Sequence, residues 1–368
     1  MRLVNASGMT AGYTLGRDKD GRERVVVVVK GTFALPARSG ATPQLAAAQL
    51  PLIDADLFSG EPGRSATLVE SDWAPMKPRC DVLLNGSAYA PGGRAVPRVV
   101  VGLQVGAMRK AFVVHGPRSW DASGGRIRPG EAAAFERQPI SYDIAFGGTD
   151  NRASDPAHHA AYADNPVGRG WFHILQLLDG VPMSQTDEAN DPVQRPDGRY
   201  RPMAFGPIGR GVPARLRHAG TYDQHWQDNV FPFLPDDFDP LYFQSAPEDQ
   251  RIDFPRGGEQ VVMVNLTPDG RREFPLPARD IPIIFIRRRG ARVEMRGTPD
   301  TILFEPDAGG FTMSWRASLP LIRDIFELEQ IVVGHMSPGW WRAMETGKTY
   351  YPSVGQAVRQ RPREEAEA

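Results

Sequence analysis

Cysteine is nearly absent from this 368-residue chain. The single thiol, Cys80, rules out an internal disulfide and any metal site made of clustered cysteines, and it fits a reducing compartment. Net charge is also close to nil: a formal −1 provides no basic field to hold nucleic-acid phosphates. Of the 43 basic residues only five are lysine. Long hydrophobic runs are missing as well. The longest aliphatic run, Val25 to Val29, is far short of a bilayer span, and MRLVNASG at the start has no leader-like apolar stretch. These absences lead us to expect a soluble, cytoplasmic protein that engages neither nucleic acid nor membrane.

The familiar catalytic signatures are missing too. There is no H-E-x-x-H, no Cys/His cluster, and no Ser in a G-x-S-x-G elbow; the adjacent His158 and His159 would diverge on regular structure. Gly347-Lys348-Thr349 resembles a phosphate loop only as a tripeptide, without the upstream glycine or a strand-to-helix setting. Gly168-x-Gly170 and Gly209-x-Gly211 lack the third glycine of a dinucleotide fingerprint. No cofactor and no metal are expected, and no enzyme.

What the chain does have is strand pattern at both ends. Asp20-Gly21 is a hairpin signal between Tyr13–Gly16 and the β-branched run of Glu23–Leu35. Asp81–Ala88, Val99–Val105 and Met108–His115 read as further strands. Later come a Glu259–Leu266/Glu273–Leu276 hairpin over Pro268-Asp269-Gly270, then Ile281–Arg287, Arg292–Met295, Thr301–Glu305, Gly310–Trp315 and Leu328–Val333. Gly339–Glu345 reads as one short helix.

Between these ends, from Pro129 to Gln250, Gly and Pro recur every few residues and strand patterns thin out. So long a loop-rich region in a compact protein points to function or an interface. Its last part, 219–250, carries Tyr222, Trp226, Phe231, Phe233, Phe238, Tyr242 and Phe243, with no period near 3.6 or 2. A helical turn around Asp223–Asp228 followed by an ordered, irregular loop is expected. Burying such a ring is worth roughly 1.5–3 kcal/mol, enough in sum to pin a loop against its ordering entropy. Trp226, Phe231, Phe233, Tyr242 and Phe243 are the candidate partner-binding residues.

Asp236, Asp237 and Asp239 form the densest carboxylate group. Three readings stay open: turn capping beside a buried Phe238, a Ca²⁺ site, or the paired acids of a glycosidase with His225 nearby. Arg169 and Arg210 lie between glycines, where small neighbours let a guanidinium reach a carboxylate or a carbonyl. We expect them to tie the glycine-rich loops to that acidic group. Gly147, Gly148, Gly168 and Gly170 are expected at positive φ or close backbone approach.

The motifs KGTF (30–33), AFGG (145–148), NPVGRGW (165–171), FGPI (205–208), AGTYDQHW (219–226), LPDDFD (234–239) and SAPEDQ (245–250) occur in one order along the chain. Together they resemble a bacterial domain-of-unknown-function family whose members act as adaptor-chaperones of the type VI secretion system. The resemblance implies a non-catalytic adaptor. Its partners would be a secreted effector and the spike, a valine-glycine repeat protein or a PAAR-type tip. The alternative is a carbohydrate-active hydrolase or carbohydrate-binding module using 222–243.

The expected architecture is mainly β: two sheet lobes, sandwich- or barrel-like, at 1–140 and 251–351. A loop-rich insert at 141–250 bridges them with little helix, and 352–368 is expected to be a disordered tail, being charged and poor in apolar residues. Deleting Gln356 to Ala368 should therefore shift the melting temperature by no more than about 2 °C. A larger fall in a thermal melt would show that the tail docks.

Overall fold

A computed structural model describes residues 1–288 and 290–351; the tail expected at 352–368 lies outside the described residues. The Asp20-Gly21 signal does what its chemistry predicts. Gly21 takes φ 79°, and Thr10–Arg17 pairs antiparallel with Glu23–Ala34 in unbroken register from Thr10↔Lys30 to Arg17↔Glu23. Val25 to Val29 are all fully buried, because neighbours flank the strand on both edges and both of its faces are covered.

That hairpin forms one edge of a six-stranded sheet. Its order is Arg251–Ile252, Cys80–Leu84, Thr298–Glu305, Gly310–Pro320, Glu23–Ala34 and Thr10–Arg17. A five-stranded antiparallel sheet runs Thr186–Asp187, Met108–His115, Arg98–Val105, Gln260–Val264, Arg271–Pro275. A four-stranded sheet runs Arg2–Asn5, Leu328–Val333, Pro282–Arg287, Arg292–Arg296. The protein is mainly β, and Pro338–Glu345 is the short C-terminal helix, capped by Ser337.

The division into an N-terminal lobe at 1–140 and a C-terminal lobe at 251–351 does not describe these sheets. Each large sheet combines strands from both ends of the chain: Gly310–Pro320 pairs with Glu23–Ala34, and Gln260–Val264 pairs with Arg98–Val105. One hydrophobic core draws on all three sheets, with Val27, Val101, Phe285 and Ile331 among its members. Phe311 stacks on Phe33 at 5.2 Å and on Phe274 at 5.6 Å, which ties the six-stranded to the five-stranded sheet. The stretch expected as one strand over Asp81–Ala88 is two, Cys80–Leu84 and Gly86–Tyr89. At the break between them, the Asn85 amide side chain donates to Leu68 O at 2.8 Å.

A fully buried carboxylate, Asp81, sits on the Cys80–Leu84 strand. It accepts from Lys77 Nζ (2.8 Å), Gln244 Nε2 (2.6 Å), Ser245 N (2.9 Å), Ser245 Oγ (3.1 Å) and Ala246 N (3.2 Å). Burial pushes its pKa up, but the Lys77 charge and these hydrogen bonds outweigh it and hold the carboxyl below its ordinary value. The stability it contributes is thus complete above the unfolded carboxyl pKa of about 3.9 and is lost as pH falls through the lower folded value. Removing one partner of a buried pair costs about 3–5 kcal/mol. Asp81→Asn should lose stability of that order at pH 7 in denaturant titrations, and the gap to wild type should close in acid.

Candidate functional site

The glycine motifs build a clasp. Gly147 has φ 146° and Gly148 φ 113°. A Cβ on Gly147 would lie 2.1 Å from Asn165 O, one on Gly148 2.8 Å from Gly168 O, and one on Gly168 2.5 Å from Ala145 O. Asn165 locks the two loops together: its side chain is buried and donates to Tyr142 O (2.9 Å) and Phe146 O (3.1 Å). Behind the clasp is a satellite core of Trp120, Phe146, Leu178, Met183 and Val193. Phe146 meets Tyr162 and Tyr200 edge-on at 5.2 and 5.1 Å. Gly170 (φ 94°) completes it, its carbonyl accepting from Trp120 Nε1 at 3.0 Å.

In front of the clasp two adjoining hollows of about 350 and 540 Å³ share Tyr142, Asp164, Ile208 and Val212. The first is walled by the FGPI loop and the second by Tyr162, Tyr200 and Pro247. Beside them, burial draws the Lys110 ammonium down to about 8 against the opposing pull of Asp249.

The two arginines expected to reach Asp236, Asp237 or Asp239 go elsewhere. Arg169 Nε donates to the Asp143 carbonyl at 2.9 Å. Arg210 makes a forked contact with Asp56 at 2.9 and 3.0 Å and reaches Glu70, which also pairs with the fully buried Arg215. Those carboxylates lie closer in the fold because the FGPI loop packs on residues 56–70, a proximity that sequence spacing does not encode. The acidic group itself closes turns. Asp237 accepts from Thr221 N (2.8 Å) and Oγ1 (2.7 Å), and Asp239 caps Leu241 N while holding His218 Nδ1 at 2.8 Å. Phe238 is buried between them. His225 lies against Asn229 (3.2 Å), not a carboxylate. Among the described residues, no three His, Cys, Asp or Glu side chains converge for a metal ion.

The aromatic stretch divides in two. Tyr242 and Phe243 are half-buried and pack on Phe238 at 6.0 and 5.4 Å, with Arg215 over the Tyr242 ring. They anchor the loop. Trp226, held by its Nε1 bond to Phe233 O (2.9 Å), meets Tyr222 at 4.8 Å and Phe231 at 5.5 Å. Trp226 is half-buried, while the rings around it face solvent: Phe231 is 66 % exposed, Tyr222 51 % and Phe233 40 %. The helical turn expected at Asp223–Asp228 falls a little later, with a wide turn at Trp226–Val230, and the Asp223 carboxylate accepts from Trp226 N. Phe233 abuts the Gly21 turn, where a Cβ would meet its ring at 2.3 Å. A cavity of about 390 Å³ lies between that hairpin tip and Leu234, Phe238 and Phe243.

Sequence reasoning missed the polar interior: Asp81, Lys77, Gln244, Gln250 and Arg215. The available signal was a charged residue inside an apolar strand, as in Cys80-Asp81-Val82. SAPEDQ turns out to supply donors to that interior, with Gln250 Nε2 bonded to Val82 O (2.7 Å) and Phe205 O (2.8 Å).

Gly147→Val and Gly168→Val place a side chain against backbone atoms, so each should cost more than about 1 kcal/mol. Wild-type melting curves for both would show the clasp to be dispensable.

No curated protein and no solved structure matches the chain. Among the described residues, no helix is long and apolar enough to cross a membrane. A family match spans residues 20–316, from the turn of the first hairpin to within the Gly310–Pro320 strand of the six-stranded sheet. The chain therefore belongs to the family described as an uncharacterized protein conserved in bacteria, DUF2169.

Proposed function

We propose that this protein is a non-catalytic adaptor-chaperone that holds a secreted effector and helps load it onto the spike of a type VI secretion system. The observation that carries a binding role is the exposed ring group. Tyr222, Phe231 and Phe233, grouped around the half-buried Trp226, stand on a loop pinned from beneath by Phe238, Tyr242 and Phe243. Exposed rings on a rigid support are what an interface uses as anchors. The secretion setting rests on the motif resemblance and the proposed partners on that setting. Against a hydrolase reading of the same stretch, Asp237 and Asp239 are engaged in closing turns and His225 lies on an amide.

Co-purification with a candidate type VI effector is the direct test. Phe231→Ala and Phe233→Ala should weaken effector retention by about 1 kcal/mol or more, roughly fivefold, at unchanged melting temperature. Tyr242→Ala and Phe243→Ala should lower stability and retention together, and Trp226→Ala should fall between. Equal retention by the Phe231 and Phe233 variants would remove this surface from the interface. Turnover on glycan or ester panels would overturn the non-catalytic reading, and glycan-array binding would favour the carbohydrate-binding alternative.

A further inference from the structure

Thr10–Arg17 is the last strand of the six-stranded sheet. Among the described residues, its backbone from Ala11 to Gly16 bonds only to the Glu23–Ala34 strand, leaving the outer edge unpaired. Proteins normally blunt such edges with a bulge, a proline or a charge. This one keeps register over all its 8 residues, has no proline, and carries no charge before Arg17.

The core is unfinished along the same edge. Ala11, Tyr13 and Leu15 lie opposite Val29, Val27 and Val25, on the side of the sheet that faces the main core. Those valines are fully buried, yet Tyr13 is 37 % and Leu15 49 % exposed. The other face is closed: a Cβ on Gly12 would lie 2.7 Å from Leu52 and 2.8 Å from Trp73.

We propose that this edge receives an extended β-segment of a partner protein as an added strand, whose alternate apolar side chains cover Tyr13 and Leu15. The proposal says how the adaptor's partner is held, and it rests on that reading only for the partner's identity. In-register main-chain donors and acceptors call for a strand rather than a helix or a small ligand. Beyond Arg17 the hairpin tip carries further exposed apolar groups. Phe233 lies on Gly21, and Leu321, bonded to Arg22 and Glu23, leads into Ile322 and Phe326, which are 70 % and 69 % exposed.

A segment running past Arg17 reaches that tip. A second copy of this chain, paired antiparallel about a two-fold axis, would set its own tip beside Thr10, about 26 Å away along the strand, and leave the patch open. Residues 352–368 do not suit either, having two prolines and mostly charged or small side chains in place of alternating apolar ones.

The probe is a ten-residue end-blocked peptide of alternating Val and Thr, read by backbone hydrogen exchange on the full chain. Addition of peptide should slow outward amides of Thr10–Arg17 at least fivefold. A peptide N-methylated at every second residue, unable to pair along one edge, should not. Tyr13→Lys with Leu15→Lys should weaken binding about tenfold at unchanged melting temperature. Three results would overturn the proposal: no protection of this strand at millimolar peptide, equal protection by the N-methylated peptide, or a peptide-free dimer abolished by the same two lysines. Because no effector is involved, failure here leaves the adaptor reading standing, and failure of effector co-purification leaves this one standing.

Discussion

Asp81 is fully buried on a strand of the six-stranded sheet, and the arrangement of the loop region depends on keeping that charge satisfied. A carboxylate removed from water needs a cation and several donors, or it will not stay ionised. Lys77 supplies the cation, and Gln244, Ser245 and Ala246 supply the donors, so the segment after the aromatic loop is drawn against the sheet. Gln250 extends the same bonding to Val82 and Phe205, bringing in the FGPI loop, and accepts from Lys110 on the five-stranded sheet at 2.7 Å. Three regions far apart in sequence are thus held by one buried polar network.

Nearby, a second set of buried charges works on the same sheet. Lys30, at the end of the valine run, pairs with Asp72, and Arg316 binds Asp300 at 2.6 Å and the carbonyls of Asp72 and Ala74. Arg215, fully buried, holds Glu70 and the Tyr242 carbonyl. Each ties an irregular segment to a strand or loop that the hydrophobic core already fixes. Long loops here are therefore ordered by charge-assisted bonds as much as by ring burial, which lets several rings remain outside.

One of those outside rings, Phe233, meets the open strand edge at the tip of the first hairpin. Phe233 touches Gly21, and Leu321 is bonded to both Arg22 and Glu23. On the adaptor reading, this geometry offers a partner two kinds of contact: main-chain pairing along Thr10–Arg17 and aromatic anchoring beside it. The hollows at the glycine clasp lie apart from that tip in their linings and share none of its residues.

Local signals in the sequence determined the main strands, because β-branched runs and Asp-Gly or Pro-Asp-Gly turns act over a few residues; the Asp20-Gly21 and Pro268-Asp269-Gly270 hairpins and the short C-terminal helix follow from such local signals. The positive φ of Gly147, Gly148 and Gly170 is a local backbone feature of the same kind, whereas Gly168 is required by the approach of Ala145 O from the other loop. Tertiary structure alone decided which strands share a sheet. Glu23–Ala34 finds Gly310–Pro320 across nearly the whole chain, a pairing that no periodicity encodes and that merges the two expected lobes into common sheets. It also decided the partners of Arg169 and Arg210, which depend on the carboxyl or carbonyl that folding brings near and not on the one nearby in sequence. Phe231 and Phe238 are the same residue type in the same aromatic run, yet one faces solvent and the other is buried. Composition is blind to that difference, since exposure is set by what packs on each ring after the whole chain has closed.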